Sequence, residues 1–163
     1  MFEFSRFWPG DYEQGRDFVA DLDTFLGQLP KGWPYAIEMR NKGWLREEYF
    51  ACLAKHGVTH VFNSWDAMLP VSEQIALPGS VTNPAMLAAR FLLKPGRKYE
   101  DAVKSFQPYN ETKEVNDEAR KAGAELIKQG KSVDAGKKTL IFVNNRLEGN
   151  ALETISAMIA AGE

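Results

Sequence analysis

The sequence predicts an α/β protein whose core is a parallel sheet covered by helices. Three observations carry this. Short apolar runs of strand length alternate with segments of helical period along the whole chain. The strand runs are nearly continuous in apolar residues, as expected for strands buried on both faces. Polar residues gather at their carboxyl ends: Glu38, Arg40 and Asn41; Asn63 and Ser64; Arg90; and Asn144, Asn145 and Arg146. Parallel sheets place ligand-binding groups at those ends.

The first strand is expected at Met1 to Ser5, followed by a Trp8-Pro9-Gly10-Asp11 turn. A helix then runs to about Leu29, with Phe18, Leu22, Phe25, Leu26 and Leu29 on one stripe. Pro30, Gly32 and Pro34 end it. A strand over 35–40 follows, then a helix over 46–56 with Tyr49, Phe50 and Leu53 inward and Gly57 as its stop. Residues 59–64 read as the third strand. Residues 65–84 read as a long connection with a short helix near 72–77. Ala85 to Leu93 is the fourth strand, and Tyr99 to Phe106 a short helix. A charged helix is expected over 111–129, with Val115, Ala119, Ala122 and Leu126 as its seam. Residues 130–138 read as a loop, 139–143 as the clearest strand and 150–161 as a closing helix.

The totals narrow the function classes. The chain has 163 residues, 44% apolar and 26% charged, which suits one domain with its own core. A net charge of −2 disfavours nucleic acid as a partner. No run approaches the roughly 20 apolar residues of a membrane span, and the N-terminus lacks the pattern of a signal peptide. Cys52 is the single cysteine, so no internal disulfide forms and a cytoplasmic setting is expected. It reads either as a catalytic thiol or as a buried spacer on the second helix, and its size and position favour the spacer.

Chemistry concentrates on the second strand. Side chains alternate across a sheet, so Ala36, Glu38 and Arg40 share one face and Tyr35, Ile37 and Met39 the other. Glu3 is placed similarly in the first strand and Arg90 in the fourth. Two readings stand side by side. Glu38 is a proton-transfer group tuned by Arg40, with arginines clamping an anion; or the charges form an interior ion-pair layer. Asn144 and Asn145 either bind a polar ligand or turn the chain and cap the next helix. Trp44 and Trp65 either stack on a ligand or plug the mouth of the sheet. His56 and His60 are four apart, but Gly57 breaks the helix between them, so no metal ligand set is predicted. No dinucleotide fingerprint, phosphate loop or nucleophile elbow occurs, and the motifs assign no cofactor.

Ile37-Glu38-Met39-Arg40 with Trp44, Gly57-Val58-Thr59-His60-Val61, and Phe142-Val143-Asn144-Asn145 with Gly149-Asn150-Ala151 resemble the YecE-like family of unknown function. The Phe-rich first strand and Phe25-Leu26-Gly27-Gln28-Leu29-Pro30 are similar too, so the resemblance covers nearly the whole chain. It implies a parallel (β/α) TIM-barrel type of fold. Asn41 stands where the family often has His, and Arg146 where it often has Asp. A full barrel needs about 250 residues. The expectation is therefore a partial barrel of about five strand–helix units that lacks N-terminal strands. Its partners would be a small polar or anionic ligand and a missing barrel half or second copy. Candidate catalytic residues are Glu38 and Arg40. Candidate ligand-binding residues are Asn41, Trp44, Asn63, Arg90, Asn144, Asn145 and Arg146.

Overall fold

A computed structural model describes residues 1–131 and 136–163. Five strands form one all-parallel sheet in the order of the sequence: β1 (Phe2–Phe4), β2 (Ala36–Met39), β3 (Thr59–Ser64), β4 (Met86–Phe91) and β5 (Lys138–Val143). Each strand is laid beside its predecessor, with no reversal of order. Unidirectional winding is the barrel pattern, whereas a doubly wound sheet reverses at a switch point. The sheet stays open, with β1 and β5 at its edges. The fold is thus an α/β parallel sheet of the incomplete TIM-barrel type.

The helices are α1 (Gly15–Gln28), α2 (Glu47–Lys55), α3 (Val71–Ile75), α4 (Tyr99–Phe106), α5 (Asp117–Lys131) and α6 (Ala151–Gly162); α4 packs on Leu92 and Leu93 just past β4, and the others cover the outer face. In α1, Asp17 Oδ2 accepts a hydrogen bond from Gln14 N at 3.1 Å and ties down the first turn. Its Phe18, Leu22 and Leu26 meet Ile37 and Met39 of β2 and Tyr49, Phe50 and Leu53 of α2 in one buried cluster. Glu47 and Glu48 begin α2 and Lys55 ends it, complementing the helix dipole. Gly57 follows at φ +65°, the left-handed turn that only glycine takes without strain. A second cluster joins Phe62, Leu87, Ala89 and Phe91 to Ala119, Ala122 and Leu126 of α5 and Met158 of α6. A Cβ on Gly123 would come within 2.5 Å of Met158 Sδ, so glycine permits that helix crossing.

The α5 boundary differs from the expectation over 111–129. The helix begins at Asp117, capped by Asn116, whose Oδ1 accepts from Ala119 N at 3.2 Å. Upstream, Lys113 N and Glu114 N both bond the carbonyl of Glu148, at 2.8 and 3.2 Å, and Thr112 N bonds Glu153 Oε2 at 2.8 Å. Those amides are taken by the turn before α6 and by the Glu153 side chain in its first turn, so the segment cannot wind. Val115, expected on the seam, is half exposed. Of the loop expected over 130–138, residues 132–135 lie outside the described residues. The helix extends through Lys131, and β5 begins at Lys138.

Glu148 is fully buried and organises this region. Its carboxylate accepts from Arg120 Nε at 2.9 Å, Arg120 Nη2 at 3.0 Å, Thr154 Oγ1 at 2.6 Å and the Asn116 backbone. Removing one partner of a buried pair leaves the other charge poorly solvated. Glu148→Gln is expected to cost roughly 2–4 kcal/mol, discounted for the partial exposure of Arg120. Denaturant unfolding with an unchanged m-value checks it.

His60 is buried among Tyr49, Phe50 and Phe62, ring against ring at 5.0–5.7 Å. Burial disfavours its cation and pushes its pKa down to about 3. The unfolded chain protonates near pH 6.5, whereas the native ring does not until about 3. Stability from the neutral ring is complete above 6.5 and is lost as pH falls through that window. Between pH 7 and 4.5, the wild type should lose about 2–3 kcal/mol more than His60→Leu in paired urea titrations.

Candidate functional site

The inner face of the sheet carries a closed set of charges. Glu3 and Glu38 stand in register on β1 and β2. Arg40 follows β2 and donates through Nε to Glu38 Oε1 and through Nη2 to Glu3 Oε2, both at 2.9 Å. Arg90 on β4 donates through Nη1 to Glu38 Oε2, and to Glu3 Oε2 at 3.3 Å. Two carboxylates and two guanidinium groups thus link β1, β2 and β4 across β3. Glu38 is completely buried; the arginine side chains are 13% and 22% exposed, which leaves their outer edges reachable from solvent. The Arg40 guanidinium also lies over the Trp65 ring at 4.2 Å, a cation–π contact that fixes its plane.

Asn63 sits in register with Arg90 and is fully buried. Its Nδ2 donates to the Met39 carbonyl at 3.0 Å, and among the described residues its Oδ1 has no partner. Backbone pairing of β2 with β3 covers Ala36 with Thr59 and Ile37 with His60. Farther along, side chains replace the ladder. Gln74 accepts from Asn63 N at 3.1 Å and donates to Asn63 O at 2.7 Å. Satisfying that backbone with a side-chain amide lets the two strands separate at their carboxyl ends.

Of the remaining expected site residues, Asn41 and Trp44 hold the loops next to Arg40, whereas Asn144, Asn145 and Arg146 lie away from it. Asn41 exchanges two hydrogen bonds with the Phe7 backbone, at 2.9 and 3.0 Å, and pins the loop after β1. Trp44, in a 3₁₀ turn over Lys42–Trp44, stacks on Phe7 and Phe18 with ring centres 5.2 Å away. Asn144 Oδ1 accepts from Arg146 N at 3.0 Å, and Asn145 Oδ1 from Ala151 N at 2.8 Å, at the start of α6. Arg146 lies over Tyr99 at 4.6 Å. Among the described residues, no hydrogen bond joins these last three to the four-charge network.

Beside Arg40 a cleft of about 350 Å³ opens at the carboxyl ends of β1 and β2. It is lined by Arg6, Arg40, Asn41, Lys42, Gly43, Trp44 and Ala67. Three of these are cationic and none is a carboxylate. Arg6 and Lys42 were absent from the sequence expectation, although both lie just past strand ends. His56 was set aside with His60, yet the two point apart. His56 Nε2 meets Asp23 Oδ1 at 2.6 Å, while His60 is in the core. Lys55 and His56 beside Asp23 hold its carboxyl below the usual range.

The family described as "Protein of unknown function DUF72" matches residues 4–163. The chain belongs to the DUF72 family. A DUF72 family protein from Enterococcus faecalis V583 superposes with a TM-score of 0.61 at 20% identity, over 97% of this chain and 58% of that one. Another from Thermotoga maritima MSB8 gives 0.55 at 23% identity, over 97% and 52% respectively. The chain thus spans little more than half the length of these DUF72 structures. At such identities the likeness establishes the fold alone. No curated protein matches the chain.

Proposed function

We propose that this DUF72 chain binds a small anionic ligand in the cleft at the carboxyl ends of β1 and β2. The observation that carries this is the lining itself: Arg6, Arg40 and Lys42 all border about 350 Å³ without a carboxylate among the lining residues. Cations sharing a concave site raise the local potential and attract anions. Arg40 commits Nε and Nη2 to Glu38 and Glu3, which orients its planar fork before a ligand arrives. Glu38 is the positioning residue, since both its oxygens are engaged by guanidinium groups. Proton transfer by Glu38 would require a ligand to displace Arg90 first. Asn63, whose Oδ1 has no partner among the described residues, lies on the same face but is buried and does not line the cleft. The buried, unpaired thiol of Cys52 supports action in the cytoplasm.

Titration with phosphate and with oxalate at low salt, followed by amide chemical shifts, tests this reading. Saturable shifts are expected at Arg40, Lys42 and Gly43. The Arg6→Ala, Lys42→Ala double variant should bind at least about 10-fold more weakly, as loss of charge-assisted contacts implies. Neither substitution touches the Glu38 network. Absence of saturable shifts with both anions, or equal affinity in the double variant, would sink the proposal.

A second reading, an assembly module, has its own observation. On the inner face of β5, Leu140 is 43% and Phe142 54% exposed, while Val61 and Ala88 on the same face are buried. We infer that a second copy of the chain covers this strip. Sedimentation should show an oligomer in the wild type and a monomer in Phe142→Glu. A monomeric wild type at high concentration overturns the inference.

A further inference from the structure

We propose that Asp23, Cys52 and His56 form a zinc-type metal site between α1 and α2, on the helical side of the sheet. Asp23 comes from α1; Cys52 lies on α2, and His56 caps that helix four residues later. The i, i+4 spacing puts Sγ and the imidazole on one face of α2, opposite the carboxylate. The three ligand atoms lie within 4.8 Å of one another. Cys52 Sγ stands 4.0 Å from Asp23 Oδ1, and His56 Nε2 stands 2.6 Å from the same oxygen. These residues share nothing with the inner-face network or its cleft.

Both distances to Asp23 Oδ1 are within an ångström of what a tetrahedral ion needs. Bond lengths of about 2.3 Å to sulfur and about 2.1 Å to nitrogen and oxygen set donor separations of about 3.4–3.6 Å. The imidazole must therefore withdraw by under an ångström and the sulfur approach by about half that, within reach of side-chain rotation. A mixed nitrogen, oxygen and sulfur set favours zinc over magnesium or calcium, which take oxygen ligands. Asp23 is 40% exposed, so water can fill the fourth position. Cys52 is buried at the edge of the α1–α2 cluster, and its sulfur has the Asp23 carboxylate and the His56 imidazole within reach.

Lys55 is the built-in competitor. Its Nζ donates to both Asp23 oxygens at 2.8 Å, and its side chain is 63% exposed. An exposed ion pair is weak, so a divalent ion with three direct bonds displaces it. Metal binding would release Lys55 to solvent and clamp α1 to α2.

The test uses the untagged full chain, reduced and stripped with chelator. Zinc is titrated against a chromophoric chelator, and cobalt(II) is followed by its thiolate charge-transfer absorption. One equivalent should bind, with the charge-transfer band present. Cys52→Ala should abolish the band. Cys52→Ala, His56→Gln and Asp23→Asn should each weaken zinc by at least about 10–100-fold, a range that lesser changes around metal ligands already reach. Lys55→Met should bind zinc more tightly than the wild type, which a purely structural Asp–His–Lys cluster would not produce. No cobalt thiolate band in the wild type, or unchanged zinc affinity in Cys52→Ala, overturns the proposal. If Cys52→Ala fails to fold, the wild-type cobalt spectrum and the Lys55→Met affinity still decide it.

Discussion

The buried carboxylate of Glu38 is the constraint on which the inner face depends. A charge without solvent survives only when opposite charge and hydrogen bonds surround it. Arg40 and Arg90 supply both, and each also reaches Glu3. The four groups therefore specify which strands stand near one another, since β1, β2 and β4 must all deliver a side chain to one point. They also aim two guanidinium groups toward the carboxyl ends of the strands. The cations are thereby held in fixed positions, at the expense of the apolar packing that would otherwise fill the sheet.

Glu148 plays the matching part on the outer side. It gathers Arg120 of α5, Thr154 of α6 and the Asn116 backbone, and its carbonyl takes two further amides. One buried carboxylate on each side of the sheet thus fixes the elements that apolar contacts alone would leave free to slide. Both carboxylates are fully buried, and both have an arginine partner whose side chain is partly exposed. They differ in surroundings: Glu148 is bonded to α5 and α6, whereas the Glu38 network shares the inner face with the exposed Leu140 and Phe142.

Much of the fold was legible in the residues. Near-continuous apolar strands announced a parallel sheet, and Gly57 marked the end of its helix; of the stripe expected on α1, Phe18, Leu22 and Leu26 are buried, Phe25 is exposed and Leu29 lies past the helix end. Alternation alone placed Glu38 and Arg40 on one face, and their contact follows from it. The α5 start was not legible, because Glu111 to Glu114 has helical composition and its amides are claimed by residues over thirty positions later. For Asn41, Trp44, Asn144 and Asn145, polarity at a strand end fits a ligand contact and a loop clamp equally. Which one holds depends on whether a backbone group such as Phe7 N or Ala151 N lies opposite.

The sequence by itself determined the element order, the parallel sheet and the face on which its charges lie, because side-chain period and hydrophobic pattern are local properties. Tertiary structure decided which charges meet, which cations share a cleft and which lone side chains become neighbours. Arg90 reaches Glu38 from 52 residues away, and His56 reaches Asp23 from 33. Those meetings are set by strand register and by how α1 lies on α2, and no local pattern encodes either.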